Sequence, residues 1–215
     1  MPKAVQRPGI YVLAGTNGAG KSSIGGALLR HQGTEYFNPD EATRLIRSRN
    51  PGMSLDDANS LAWHQGRRLL ERAIEERFNF AFETTLGGKT ITSLLGRACS
   101  NGLELHIWYV GLRDVDLHIA RVKSRVASGG HNISAETIRL RFVHSRLNLI
   151  HLLPKLTELW LYDNSEDADP KAGRPPTPRL LLHFLRGTVV KSCPLSDVPE
   201  WAKPILIVAL QLAKF

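Results

Sequence analysis

The chain has 215 residues and a formal net charge of +8, with 28 Lys and Arg against 20 Asp and Glu. That length suits one large α/β domain with a sizeable core, and the hydrophobic and charged fractions, 42% and 22%, are those of a soluble globular protein. The composition argues against a membrane protein, a secreted disulfide scaffold and a metal-binding cysteine cluster. The longest apolar run, ILIVAL, is far too short to cross a bilayer, the N-terminus has no cleavable signal pattern, and Cys99 and Cys193 are too few and too scattered. A reducing cytoplasm is the expected setting.

In chain order, GIYVLAG reads as a buried strand ending in glycine, and a helix follows from about Lys21 to Arg30. EYFNPD is a short second strand broken by Pro39, with a helix starting near Asp40. SLDDANSLAWHQGRRLLERAIEERF is a long amphipathic helix. Ser54 and Asp57 cap it, and Leu55, Ala58, Ala62, Gly66, Leu69 and Ala73 recur at intervals of three and four. NFAFETT is a third strand. A helix from about Lys89 to Ser100 stops at Asn101 and Gly102. LELHIWYVGL is a fourth strand, followed by the basic helix DVDLHIARVKSRVAS, which ends at Gly129 and Gly130. Another helix starts at Ser134 and carries Arg139, Arg141 and Arg146, and ELWLYDNS is a fifth strand. SEDADPKAGRPPTP is a Pro-rich loop. RLLLHFLRGTVVKS reads as a hairpin turning near Arg186 and Gly187, and Pro204 to Phe215 as a terminal apolar helix, either a core element or a partner surface. Strands alternating with helices predict a parallel sheet covered on both faces.

GTNGAGKSS has the spacing of a phosphate-binding loop, G-x-x-x-x-G-K-[ST], with Gly15, Gly20, Lys21 and Ser22 in the required places. Such a pattern arises by chance in roughly one chain in a hundred of this length, and here it also lies between a strand and a helix. The backbone N–H groups from Asn17 through Gly18, Ala19 and Gly20 to Lys21 are placed to cradle phosphates. Lys21, in a solvent-facing loop, would reach the β and γ oxygens, and Ser22, beside Ser23, would hold Mg²⁺. FETTLGGKT imitates the loop's tail, but Glu83 stands where the first glycine belongs, and a carboxylate there repels phosphate. This second stretch instead reads as a strand tip carrying Glu83, Thr84 and Thr85, with glycines turning the chain into a helix whose Lys89 lies on the surface.

Ligands of parallel sheets bind beyond the carboxyl ends of the strands. That rule gathers the phosphate loop, Asn38 and Asp40, the Glu83 to Thr85 tip, and Asp163 with Asn164 along one edge. Asp40 fits either an N-cap or a functional carboxylate, and Glu83 either a satisfied surface acid or a site residue. Arg121 and Arg125 share a helix face, and Arg139 and Arg141 follow across the Gly129–Gly130 link. The pair of helices could close as a lid over a transferring phosphoryl group, or present a solvated basic face. His131 reads as a loop residue rather than a base. No run of five like charges and no aromatic-interleaved basic stripe accompanies the positive balance, so nucleic acid is not the expected partner.

The ordered set GTNGAGKSS, FNPDE, FETTL, RV…RV..GGH.I, IRLRF followed by LNL, and LYDNS resembles the zeta-toxin-like P-loop kinases, in particular their chromosomal ATPase-like branch. The resemblance runs from about Ile10 to Ser165. It implies a kinase fold with sheet order 2-3-1-4-5, ATP and Mg²⁺ as cofactors, and transfer to the 3′-hydroxyl of UDP-N-acetylglucosamine. On that resemblance Lys21 and Ser22 bind nucleotide and metal, Asp40 is the base, Glu83 holds the acceptor sugar, and Arg125 and Arg141 are lid phosphate ligands. An antitoxin-like protein partner would fit the same family. IRLRF departs from the family pattern at Leu140 and Phe142, which leaves Arg139 and Arg141 as competing ligands. The expected protein is thus one kinase domain over residues 1–215, with a helical lid at about 114–150 and an accessory hairpin and helix at about 179–215. The alternatives are a kinase acting on polynucleotide ends and a nucleotide-binding regulatory module without transferase activity.

Overall fold

The computed structural model describes residues 7–21, 36–127, 132–166 and 177–213. Ser22, Ser23, the rest of the expected first helix, Gly129, Gly130, His131 and most of the Pro-rich loop lie outside the described residues.

Seven strands form one sheet in the order β2-β3-β1-β4-β5-β6-β7. Strand β1 (Gly9–Ala14) lies between β3 (Phe80–Thr84) and β4 (Glu104–Gly111), and β2 (Tyr36–Phe37) extends the sheet beyond β3. Strand β5 (Glu158–Asp163) pairs with β4, and all these pairings are parallel, as the expected 2-3-1-4-5 order requires. The C-terminal hairpin, β6 (Arg179–Leu185) and β7 (Thr188–Ser192), continues the same sheet in antiparallel sense beside β5. Its turn sits at Arg186 and Gly187, both at positive φ.

The alternation of side chains along each strand divides the core. Ile10, Val12 and Ala14 join Leu105, Ile107, Tyr109, Leu159 and Leu161 on one face. Leu13, Trp108 and Val110 cluster on the other. The first face is covered by α2 (Leu55–Glu76), α3 (Lys89–Ser100), α5 (Ala135–Leu152) and α6 (Lys203–Leu212), and α1 (Pro39–Arg49) packs beside α2. Helix α4 (Val115–Ala127) contacts α5. The buried stripe of α2 runs through Ala58, Ala62, Leu70, Ala73 and Ile74. It is rotated slightly from the expected stripe, because Leu70 and Ile74, rather than Leu69, meet the strands. Helix α6 buries Ile205, Leu206 and Ala209 in the main core. The core reading of the terminal apolar segment is therefore the one observed. No helix among the described residues is long and apolar enough to cross a membrane.

Candidate active site

A cleft of about 940 Å³ opens at the carboxyl edge of the parallel strands, lined by the phosphate loop, the β2 and β3 exits, α2, and the facing parts of α4 and α5. Gly15 opens the loop at φ 141, and a Cβ there would stand 2.1 Å from the Val110 carbonyl oxygen, so no side chain is tolerated.

Three contacts hold the loop from behind and above. Asn164 Nδ2 donates to the Ala19 carbonyl at 2.9 Å, and its side chain is buried. Asn164 thus lies beneath the loop and does not line the cleft. The Asn17 carbonyl accepts from His118 Nδ1 at 2.8 Å. Burial pushes the His118 pKa down to about 4, so the ring is neutral, with its proton on Nδ1. Asn17 Oδ1 accepts from an Arg141 guanidinium nitrogen at 2.8 Å. Burial also lowers the Arg141 pKa, with the Asp40 charge acting in the opposite direction.

Lys21 is only 7% exposed, which overturns its placement in a solvent-facing loop. Its Nζ lies 3.6 Å from Glu83 Oε1. Glu83, 8% exposed, also accepts from Tyr36 Oη at 3.0 Å and Asn38 Nδ2 at 3.1 Å. Glu83 is thus an engaged carboxylate at the cleft floor and not a surface acid. Burial and the Glu83 charge raise the Tyr36 pKa, so the phenol stays a donor. Asn38 has a second task. Its Oδ1 accepts from the backbone N–H groups of Asp40 and Glu41 at 2.8 and 3.2 Å, which makes it the N-cap of α1, with Pro39 following. The cap expected at Asp40 is therefore Asn38, and the Asp40 side chain, 65% exposed, is left for the cleft, 3.9 Å from an Arg125 guanidinium nitrogen.

The turn expected of the glycines at the β3 exit is not made by a left-handed glycine. The left-handed residue is Leu86, at φ 54, whose N–H donates to Thr84 Oγ1 at 3.1 Å. The Thr85 carbonyl accepts from Ser145 at 2.6 Å, and Ser145 in turn bonds Tyr109 at 2.9 Å. Gly87 serves close approach instead, since a Cβ there would stand 2.9 Å from Arg141 Cγ. Thr84, Thr85 and Gly87 line the cleft, while Lys89 is exposed on α3.

The four arginines separate. Arg121, Arg125 and Arg141 line the cleft. Arg121 also donates to the Glu166 carbonyl at 3.0 Å. Arg139 does not line it; it is exposed and reaches Asp116 Oδ1 at 3.8 Å. Residues two apart on a helix point to nearly opposite sides, so only one of Arg139 and Arg141 can face the loop. Arg146 is turned back onto its own helix, bonding the Phe142 carbonyl at 2.7 Å and lying over the Phe142 ring. Sequence reading missed His118, Tyr36, Gly87 and Ser145, since nothing local marks a buried histidine or tyrosine as part of a phosphate site. It also missed the α2 wall, whose exposed Trp63 interrupts the amphipathic pattern.

A parallel sheet with a phosphate loop leaving its central strand and arginines on the facing helices is the architecture of the P-loop kinase fold. The chain belongs to the zeta toxin family, whose family model matches residues 1–152. An uncharacterised protein of Haemophilus influenzae is 32% identical over 133 residues, 60% of this chain and 88% of that protein. A chain of the AvrRxo1-ORF1:-ORF2 complex has a TM-score of 0.65 at 15% identity, covering 94% of this chain and 64% of that one. This chain therefore matches just under two thirds of that relative's length. A structure of the PezAT chromosomal toxin-antitoxin system of Streptococcus pneumoniae has a TM-score of 0.56 at 16% identity, covering 79% of this chain and 74% of that one.

Proposed function

We propose that the protein transfers the γ-phosphoryl group of ATP to a hydroxyl of a nucleotide sugar, with UDP-N-acetylglucosamine the favoured acceptor. The observation that carries this reading is the opposition of charges across one cleft. Asp40 and Glu83 stand on one wall, and Arg125 and Arg141 face them beside the loop that carries Lys21. The arginines suit a phosphoryl group that spreads its charge over three oxygens. Asp40, exposed at the rim and 3.9 Å from an Arg125 guanidinium nitrogen, suits a base that takes the acceptor's proton.

In this reading Lys21 exchanges Glu83 for the ATP phosphates. Glu83, still held by Tyr36 and Asn38, then presents an oxygen to the sugar. Thr84 and Thr85 complete that wall. The metal would ride mainly on the nucleotide, with Ser22 as a protein ligand; bound there, it neutralises charge on the phosphates. Among the described residues, no group of three or more acids, histidines or cysteines is placed to hold an ion. An antitoxin-like partner belongs to the same proposal, supported by family membership and by the PezAT likeness.

One observation favours a second reading, transfer to a polynucleotide end. A groove of about 610 Å³ between α3 and α5 is lined by Lys89, Arg97, His151 and Lys155 with no acid among its lining residues. Lys89 adjoins Gly88 and Thr90 of the cleft. A polynucleotide acceptor would show a steep loss of affinity with salt, and a nucleotide sugar would not.

The test is Asp40→Asn. Because Asn38 caps the helix, the variant should melt like the wild type and bind ATP normally. Transfer to UDP-N-acetylglucosamine should fall by about 10²-fold or more. Wild-type transfer in a stable variant would place the base elsewhere. A wild type that phosphorylates no nucleotide sugar would end the acceptor assignment.

A further inference from the structure

One face of α2 belongs to the cleft. Asp56, Asn59, Ser60, Trp63 and Arg67 all line it. Successive steps of three, one, three and four residues keep these side chains on one side of a helix. At 1.5 Å per residue the strip runs roughly 16 Å along the wall. Trp63 is its largest member and is 42% exposed, whereas Trp108 and Trp201 are buried.

An indole left uncovered inside a cavity offers a flat apolar surface that a soluble protein otherwise covers. Its orientation is held on two sides. The Arg67 guanidinium carbon lies 5.7 Å from the Trp63 ring centroid, and His64 meets the ring edge-on at 4.9 Å. Arg67 Nε is buried and has no hydrogen-bond partner, and the carboxylate of Glu71 is 3.6 Å from it. The strip thus combines a stacking plane, an adjacent positive charge and short polar side chains at Asp56, Asn59 and Ser60. It lines the same cleft as Asp40.

We propose that this strip is the subsite for the planar ring of the acceptor. Trp63 stacks a nucleobase, and Arg67 offsets the charge of the phosphate attached to its sugar. The proposal rests on the acceptor reading above, and it adds residues and a selection rule. Stacking engages the ring face and is tolerant of base identity. The subsite therefore separates acceptors that carry a ring from those that do not, more than it separates one base from another.

The experiment measures binding without transfer. With the donor site saturated by a non-hydrolysable ATP analogue, the full chain is titrated with UDP-N-acetylglucosamine and, separately, with N-acetylglucosamine 1-phosphate. Calorimetry and tryptophan fluorescence report both titrations. The ring-bearing ligand should bind roughly five- to a hundredfold more tightly than the ring-free one, the range expected for one base stacked on an aromatic side chain. Trp63→Ala should remove that preference, leaving the ring-free ligand and the ATP analogue unaffected, and Trp63→Phe should keep most of it. Equal affinity for the two ligands in the wild type, no binding of either, or an unchanged preference in Trp63→Ala overturns the proposal. A protein that binds the nucleotide sugar through Trp63 yet transfers no phosphate to it supports the subsite while refuting the acceptor reading. Wild-type affinity and transfer in Trp63→Ala do the reverse.

Discussion

His118 couples the stability of the fold to the phosphate loop, and its titration gives a measurable signature. The ring is buried, its Nδ1 donates to the Asn17 carbonyl at 2.8 Å, and its pKa falls from 6.5 to about 4 in the folded chain. Burial is the main cause. Because the folded pKa lies below the unfolded one, the unfolded chain binds more protons between pH 6.5 and 4. Stability from this group is therefore fully present above pH 6.5 and is lost as the pH falls towards 4. Between pH 7 and pH 5 the loss works out at about 2 kcal/mol, from 1.36 kcal/mol per pH unit with rounding near the unfolded pKa. For a chain of this size that is a fall of roughly 4–8 °C in melting temperature.

The comparison variant is His118→Asn, whose amide can take the place of Nδ1–H towards Asn17 but does not titrate. It should be less stable than the wild type at pH 7, because the ring's edge contact with Phe142, at 5.5 Å, is lost. Its stability should nevertheless fall by about 2 kcal/mol less between pH 7 and pH 5. Carboxylates titrate in both proteins and cancel in the difference. The assay is a set of denaturant melts at half-unit pH intervals. Parallel curves for the two proteins would show that His118 is not a buried neutral ring, and the account of the loop's rear support would fail.

Two further perturbations test the floor and the roof of the cleft. Lys21→Ala should abolish ATP turnover and also lower stability by about 1–3 kcal/mol, because Glu83 loses its buried cation; adding Glu83→Gln should recover part of that loss, and unchanged melting in Lys21→Ala would refute the pairing. Arg141→Ala should reduce turnover by about 10³-fold with a smaller effect on ATP affinity. Gly87→Ala should do the same to a lesser degree without changing any charge, because the new methyl displaces the Arg141 stem; rates within about threefold of wild type in both variants would make Arg141 an ordinary surface charge.

Most of the described elements and the phosphate-loop pattern were legible in the sequence, because both depend on local order. The Gly15 to Ser22 spacing, the Asn101–Gly102 stop, the Arg186–Gly187 turn and the alternation of strands with helices act over a few residues. The rule that ligands sit beyond parallel strand ends was enough to bring Asp40, Glu83 and the loop together. Residue-level roles were decided by tertiary contacts. Asp40 and Asn38 are two residues apart, and only the bonds from Asn38 to the helix and to Glu83 show which of them caps and which faces the cleft. Arg139 and Arg141 are equivalent in the sequence, and the docking of α5 against Gly87 and Asn17 chose between them. Asn164 lies beneath the loop, a depth that spacing cannot encode. Lys21, Tyr36 and His118 differ most from the sequence expectation. Their behaviour depends on desolvation and on partners 47 to 101 positions away for the two hydrogen-bonded rings, and such distances exist only once the chain has folded.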